Sequence, residues 1–203
     1  MIPLKLLDDV IALKRVPRSG WITYRISKHD VECVSSHSYS VTVIALVMSE
    51  KVRLTNREVD MEKVLKMALL HDLSESMTFD ISKAYLRYLG GKGERIKTHL
   101  DRKATSRILA DLNNVRLAKT FRLIIGEYVA ARSLEAKIVH CADAIDLLLQ
   151  VIEYEKMGYS QATLDPIWKE TRLKLTKYRF PLANQWSNHL QAVRRRLHSK
   201  RRH

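Results

Sequence analysis

Proline and glycine are scarce in this chain: 203 residues contain four and six of them, and no proline falls between Pro17 and Pro166. Long stretches are therefore free of the residues that break helices. Only two cysteines occur, Cys33 and Cys141, which excludes a disulfide framework; both read as small buried hydrophobes in a reducing compartment. Charges interrupt every apolar run before it could cross a bilayer, and the start, MIPLKLLDDV, lacks the zones of a secretory signal. A cytoplasmic protein with no membrane partner is expected. Acidic residues are missing after Glu170. The ten Lys/Arg from Arg172 to Arg202 carry most of the net charge of +14, leaving only +4 for the first 170 residues. The basicity belongs to the C-terminal end, where a solvated, partly disordered tail over 191–203 is expected, open to weak contact with nucleic acid.

With 46% hydrophobic and 29% charged residues, the chain has the composition of a folded protein and the length for one substantial core. Its apolar residues recur at three and four, which predicts helices over about 3–14, 36–52, 60–75, 80–89, 94–112, 114–131, 133–157, 166–178 and 184–199. Asp60 and Ser133 stand where N-caps are needed, and Asp165-Pro166 reads as a cap before a first-turn proline. No alternating run is long enough for a sheet. The expected architecture is all-α, a single-domain helical bundle over 1–190 followed by the basic tail.

Three segments carry chemistry. In KVLKMALLHDLSES an apolar surface runs into His71, Asp72 and Glu75, which helical spacing would place side by side. The His-Asp pair alone is weak evidence. In VHCADAIDLLLQVI, apolar residues cover nearly every side, so this helix should run through the centre with Asp143 inside it. A buried carboxylate needs a metal or a cationic partner, and both remain open. Asp146, one turn on, reads as a supporting carboxylate. In CVSSHSYSVTVIALVMSE, His37 lies in the first turn of an apolar helix that Ser35 or Ser36 could cap. Two imidazoles and two carboxylates on three core helices would leave positions on a divalent ion for water and a substrate oxygen, as hydrolysis requires. His29, His99, His189, His198 and His203 sit in polar surroundings and read as exposed. Only His99 and His140 lie between the His-Asp pair and Asp143, too dispersed for a second metal.

The ordered set His37, His71-Asp72, Asp143 resembles the signature of the HD-domain metal-dependent phosphohydrolases. LKRVPRSGW, VSSHSYSV, ALLHDLSESMTFDIS, LEAKIVHCADAIDLLLQ and EYEKMG are similar to the HD-domain 5'-deoxynucleotidases. The resemblance implies that those four residues hold one divalent ion, commonly cobalt, manganese or magnesium, with nickel or zinc also suited to such donors. It implies a metal-activated water that removes phosphate from nucleoside 5'-monophosphates, with Glu75 orienting or deprotonating it, and a homodimer. Arg18 and Trp21 would line the nucleotide pocket, and Asp80 would stand near the sugar. Phe79 replaces a usual glycine, Ser82 a frequent proline, Ser36 an acid and His140 a lysine. A triphosphate, cyclic-nucleotide or alarmone hydrolase is the neighbouring reading, and a nucleic-acid-binding protein with a vestigial site is the distant one.

Overall fold

Among residues 3–200, which the computed structural model describes, all regular structure is helical apart from one β-bridge pairing Pro17 with Cys33. The helices are α1 (Leu4–Ala12), α2 (Ser19–Thr23), α3 (Val34–Arg53), α4 (Met61–Leu70), α5 (Glu75–Thr78), α6 (Lys83–Tyr88), α7 (Gly93–Ala110), α8 (Val115–Ala130), α9 (Leu134–Lys156), α10 (Gln161–Lys177) and α11 (Pro181–Lys200). This is the all-α bundle that the periodicity predicts. None of the described helices is long and apolar enough to cross a membrane.

The bundle is organised around α9. Ile138, Val139, Ala142, Ile145, Leu148 and Ile152 are buried around it, and α3, α4, α8, α10 and α11 all pack against it. A helix apolar on nearly every side has no face to give to water, so other helices wrap it. Val41, Ala45 and Met48 of α3 and Val64 and Met67 of α4 extend the same core. A smaller core of Leu13, Val16, Val34, Leu73 and Ile108 ties the N-terminal segment to the turn after α4 and to α7. Asp60 and Ser133 act as the expected caps, accepting the N–H groups of Lys63 at 3.0 Å and Ala136 at 3.2 Å.

Several boundaries differ from expectation. α2 lies between the helices expected over 3–14 and 36–52. The helix expected over 60–75 stops at Leu70 and re-forms as α5, leaving His71–Ser74 in a tight turn. Cys33 is the N-cap of α3, so neither Ser35 nor Ser36 caps it; their hydroxyls lie 3.2 and 3.0 Å from the half-buried Cys33 sulfur instead. α10 begins at Gln161, and Pro166 lies inside it rather than in its first turn. That proline removes one hydrogen bond from the ladder, and burial of Leu164 and Trp168 on either side holds the helix through the loss.

The largest difference is at the C-terminal end. α11 runs unbroken through position 190 to Lys200, so residues 191–200 continue a helix where a partly disordered tail was expected; Arg201, Arg202 and His203 lie outside the described residues. Arg194 is 3% exposed and meets the fully buried Glu155 of α9, its Nε donating at 3.0 Å to both carboxylate oxygens. The same guanidinium reaches Asp165 of α10 at 2.8 Å and lies 4.5 Å from the centre of the Trp168 ring. His198, expected at the surface, places Nε2 2.9 Å from Glu155 Oε2. Arg172 is engaged by Ser187, Asn188 and Gln191. One buried carboxylate thus clamps α10 and α11 onto α9, and part of the C-terminal basicity is internal.

Removing one partner of a buried ion pair leaves an uncompensated charge, so Arg194→Ala is expected to lower stability by about 3–5 kcal/mol. Urea unfolding checks this against Arg195→Ala, an exposed neighbour expected to change stability by less than about 0.5 kcal/mol. Truncation after Leu190 removes the same clamp and is expected to lower Tm as well.

Candidate metal centre

Three segments bring the predicted ligands together. His37 is fully buried in the first turns of α3, His71 and Asp72 occupy the turn between α4 and α5, and Asp143 lies on α9. In that turn the Leu73 N–H reaches the Leu70 carbonyl at 3.2 Å and the Glu75 N–H reaches the Asp72 carbonyl at 3.0 Å. These bonds span three residues rather than four, and such winding stacks side chains three apart, setting Glu75 on the side of Asp72. His71 Nε2 lies 3.4 Å from His37 Nε2 and 3.2 Å from Asp72 Oδ2. His37 Nε2 lies 3.6 Å from both Asp72 Oδ2 and Asp143 Oδ1. Such spacings suit neighbouring positions around one ion, whose ligands at about 2.1 Å would stand about 3 Å apart. His37, His71 and Asp72 each bring a donor atom within 4.8 Å of the others. Asp143 stands at the edge of this group, with Oδ2 3.2 Å from Lys174 Nζ. Its half-buried charge therefore has a cationic partner as well as a place beside the imidazoles.

Both imidazoles are held in one orientation. His37 Nδ1 donates to Asp146 Oδ2 at 2.7 Å, and His71 Nδ1 donates to the Ala68 carbonyl at 2.8 Å. With Nδ1 donating, each Nε2 faces the other candidate ligands, and in the neutral ring it would present the lone pair a metal requires. Asp146 is the supporting carboxylate that its position suggested. Glu32, which no spacing in the sequence singles out, joins the same layer: Glu32, His37 and Asp146 bring donor atoms within 4.8 Å of one another.

Burial opposes charge on Asp72 and Asp143, yet both carboxyls are held well below the usual range. His71, His37 and Arg18 outweigh burial at Asp72, and Lys174, His37, Arg18 and His71 do so at Asp143. Burial also opposes a proton on His71, but Asp72, Asp143 and the Ala68 carbonyl raise its pKa. Glu75 goes the other way. It is 5% exposed, and burial, then Asp72 and Asp80, push its pKa up to about 10 against the weaker pull of Lys97, whose Nζ lies 3.8 Å from Oε1. Glu75 Oε2 is buried with no hydrogen-bond partner among the described residues. Two ionised carboxylates, two oriented imidazoles and one unmet carboxyl oxygen fit a hard or borderline divalent cation with a water beside it.

Arg18 joins this centre, its Nη1 donating to Asp72 Oδ2 at 3.2 Å. Trp21 does not offer the face expected of it. Its side chain is 1% exposed, edge-on to Tyr154 at a centroid distance of 5.0 Å, because α2 packs it into the main core. Its Nε1 donates to Glu32 Oε1 at 2.8 Å, and that oxygen lies 3.9 Å from Arg18 Nε, so Trp21 acts on the site through Glu32. Asp80 acts electrostatically on Arg18 and Glu75, and its carbonyl accepts the Ser19 hydroxyl. Phe79, just before it, has φ 57° and ψ 164°, a conformation glycine adopts freely and other residues only under strain. The chain keeps the backbone a glycine would take and leaves the ring 64% exposed. Ser82 caps α6, accepting the Ala84 N–H at 3.2 Å. His140 Nε2 donates to the Tyr128 carbonyl at 2.9 Å, its ring stacked between Tyr128 and Tyr178.

Residues 10–179 match the HD domain family. The chain belongs to that family. Among relatives of this HD-domain protein, a 5'-deoxynucleotidase of Danio rerio is 30% identical over 171 residues, covering 84% of this chain and 78% of its own. A 5'-deoxynucleotidase of Bos taurus is 29% identical over 191 residues, covering 94% and 85%. A conserved hypothetical protein from Pyrococcus furiosus has a TM-score of 0.76 at 29% identity, over 95% of this chain and 99% of that one. An HD-domain phosphohydrolase from Listeria innocua, 20% identical, shares the fold with a TM-score of 0.75 over 95% and 88%. The chain is thus an HD-domain protein of the 5'-deoxynucleotidase-like kind, and the family implies a divalent metal, which the donor atoms described above fit.

Asp146→Asn withdraws the negative partner of His37 Nδ1, so manganese affinity measured by calorimetry is expected to fall about 10–100-fold. Phe79→Gly relieves the backbone at that position and is expected to raise stability by roughly 1 kcal/mol, read from the urea midpoint.

Proposed function

We propose that this protein is a metal-dependent phosphohydrolase that releases phosphate from deoxyribonucleoside 5'-monophosphates. The observation that carries the reading is the convergence of His37 Nε2, His71 Nε2, Asp72 Oδ2 and Asp143 Oδ1, with Arg18 at the flank of Asp72. These four residues are the proposed ligands of one divalent ion: cobalt, manganese, magnesium, nickel or zinc. When bound, the ion supplies Lewis-acid activation of water and charge compensation for the phosphate. The chain supplies the rest. Arg18 offers a planar fork to phosphate oxygens, and Asp80, close to Arg18, is the proposed contact to the sugar. Glu75 is the proposed proton acceptor, with Oε2 as the atom that takes the proton. Burial and Asp72 hold that carboxyl protonated in the protein alone, so its role depends on compensation of the Asp72 charge.

The names of the relatives support a monophosphate over a triphosphate, cyclic nucleotide or alarmone. The internal partners of Arg172 and Arg194 weaken the nucleic-acid reading, because these cations are already engaged within the fold. We also propose a homodimer, as the resemblance implies, and a cytoplasmic setting, which the free Cys33 and Cys141 support.

Glu75→Gln retains the shape of the protonated side chain, so Tm and manganese affinity are expected to stay near wild type. Loss of a general base is expected to lower kcat about 10²–10⁴-fold. Phosphate release from a panel of nucleoside 5'-monophosphates, with metal and with excess chelator, measures both the activity and its metal dependence. Near-normal turnover by Glu75→Gln would refute its role, and full activity in chelator would refute the metal reading.

A further inference from the structure

Lys174 belongs to the basic stretch after Glu170, yet it stands at the metal centre. It lies in the last turn of α10, its Nζ is 3.2 Å from Asp143 Oδ2, and its side chain is one-third exposed. The groups acting on its ammonium are Asp143, the Tyr178 phenol one turn on, and Arg18. Arg18 stands on the flank of the other ligand carboxylate, 3.2 Å from Asp72 Oδ2. Each ligand carboxylate therefore carries a cation, and the two cations come from segments outside those that bring the ligands.

This arrangement is costly for a site that serves only a metal. A cation beside a ligand carboxylate competes for its lone pairs and repels a divalent ion. Two such cations are consistent with metal binding when an anion joins them. A role for Lys174 in fastening α10 is not needed either. That helix is held by buried Leu164, Trp168 and Leu175, by Arg172 on Ser187, Asn188 and Gln191, and by Asp165 on Arg194.

We propose that Lys174 is a phosphate-binding residue, the second cation of a seat whose first is Arg18. The proposal rests on the phosphohydrolase reading. In the protein alone Asp143 is the partner of Lys174; with ion and phosphate both present, a phosphate oxygen takes that place. Metal and phosphate then favour each other's binding, since each relieves the repulsion that the other meets.

The test uses the full chain loaded with manganese, in wild type, K174M, K174Q and K174R, with K169M on the exposed part of the same helix as control. K174Q keeps a hydrogen-bond donor without the charge, so the reading does not depend on the folding of one variant. Loss of one charge-assisted hydrogen bond is expected to weaken inorganic phosphate binding, and to raise KM for a deoxyribonucleoside 5'-monophosphate, about tenfold or more. K174R is expected to recover most of that loss, and K169M to match wild type. Manganese affinity without phosphate, measured by calorimetry, is expected to be unchanged or tighter in K174M and K174Q. Wild-type phosphate affinity and KM in both uncharged variants would overturn the proposal. So would loss of manganese binding with unchanged phosphate affinity per loaded site, which is the mark of a structural clamp. If phosphate binding depends on Lys174 but no nucleotide is hydrolysed, the seat stands and the phosphohydrolase reading fails. If nucleotide is hydrolysed but phosphate affinity is independent of Lys174, the phosphohydrolase reading stands and the seat fails.

Discussion

Two carboxylates kept ionised inside an apolar bundle are the constraint to which the rest of the structure answers. Asp143 sits on α9, whose neighbours wrap it on nearly every side, and Asp72 sits in a turn that abuts the same core. A carboxylate stripped of water stays charged only if positive charge and hydrogen-bond donors replace the solvent. His37, His71, Arg18 and Lys174 perform that service, and each is held by contacts of its own: Asp146 and Ala68 for the imidazoles, Glu32 for Arg18, Tyr178 beside Lys174. The same helix meets the problem a second time at Glu155, twelve residues and about 18 Å further along. There Arg194 and His198 complete the answer within the fold.

Much of this was legible in the sequence where one segment carries its own signal. The apolar character of α9 marked it as central, and Asp60 and Ser133 marked helix starts that their side chains do cap. The ordered His, His-Asp and Asp pointed to residues that the fold brings close to one another. What was not legible depends on partners far apart in the chain. Arg194 looked like tail charge because its partner Glu155 lies 39 positions earlier. Lys174 and Asp143 are 31 positions apart. Glu32 carries no pattern at all, yet Trp21 and Arg18 meet on it and it stands beside His37 and Asp146. Short-range winding escaped as well. The step from four-residue to three-residue bonds after Leu70 leaves no mark in residue type, yet it sets how Asp72 and Glu75 face each other.

Phe79 shows how a resemblance and a structure inform each other. The resemblance implies glycine there, and the backbone of this chain takes a left-handed φ at that position despite the phenylalanine. The geometry belongs to the loop rather than to the residue. α5 ends just before it, and the Ser19 hydroxyl holds the Asp80 carbonyl just after it. Neighbours that over-determine a turn can impose a conformation that its own residue disfavours.

The proposed ligand atoms come from α3, the turn after α4, and α9, whereas the cations at their flanks come from the start of α2 and the end of α10. Substitutions on these two outer segments would therefore act on the retained anion directly, and on the carboxylates through the positive charge they remove. A lineage built on this frame has two dials, one for the reaction and one for its clientele, set on different segments of the chain.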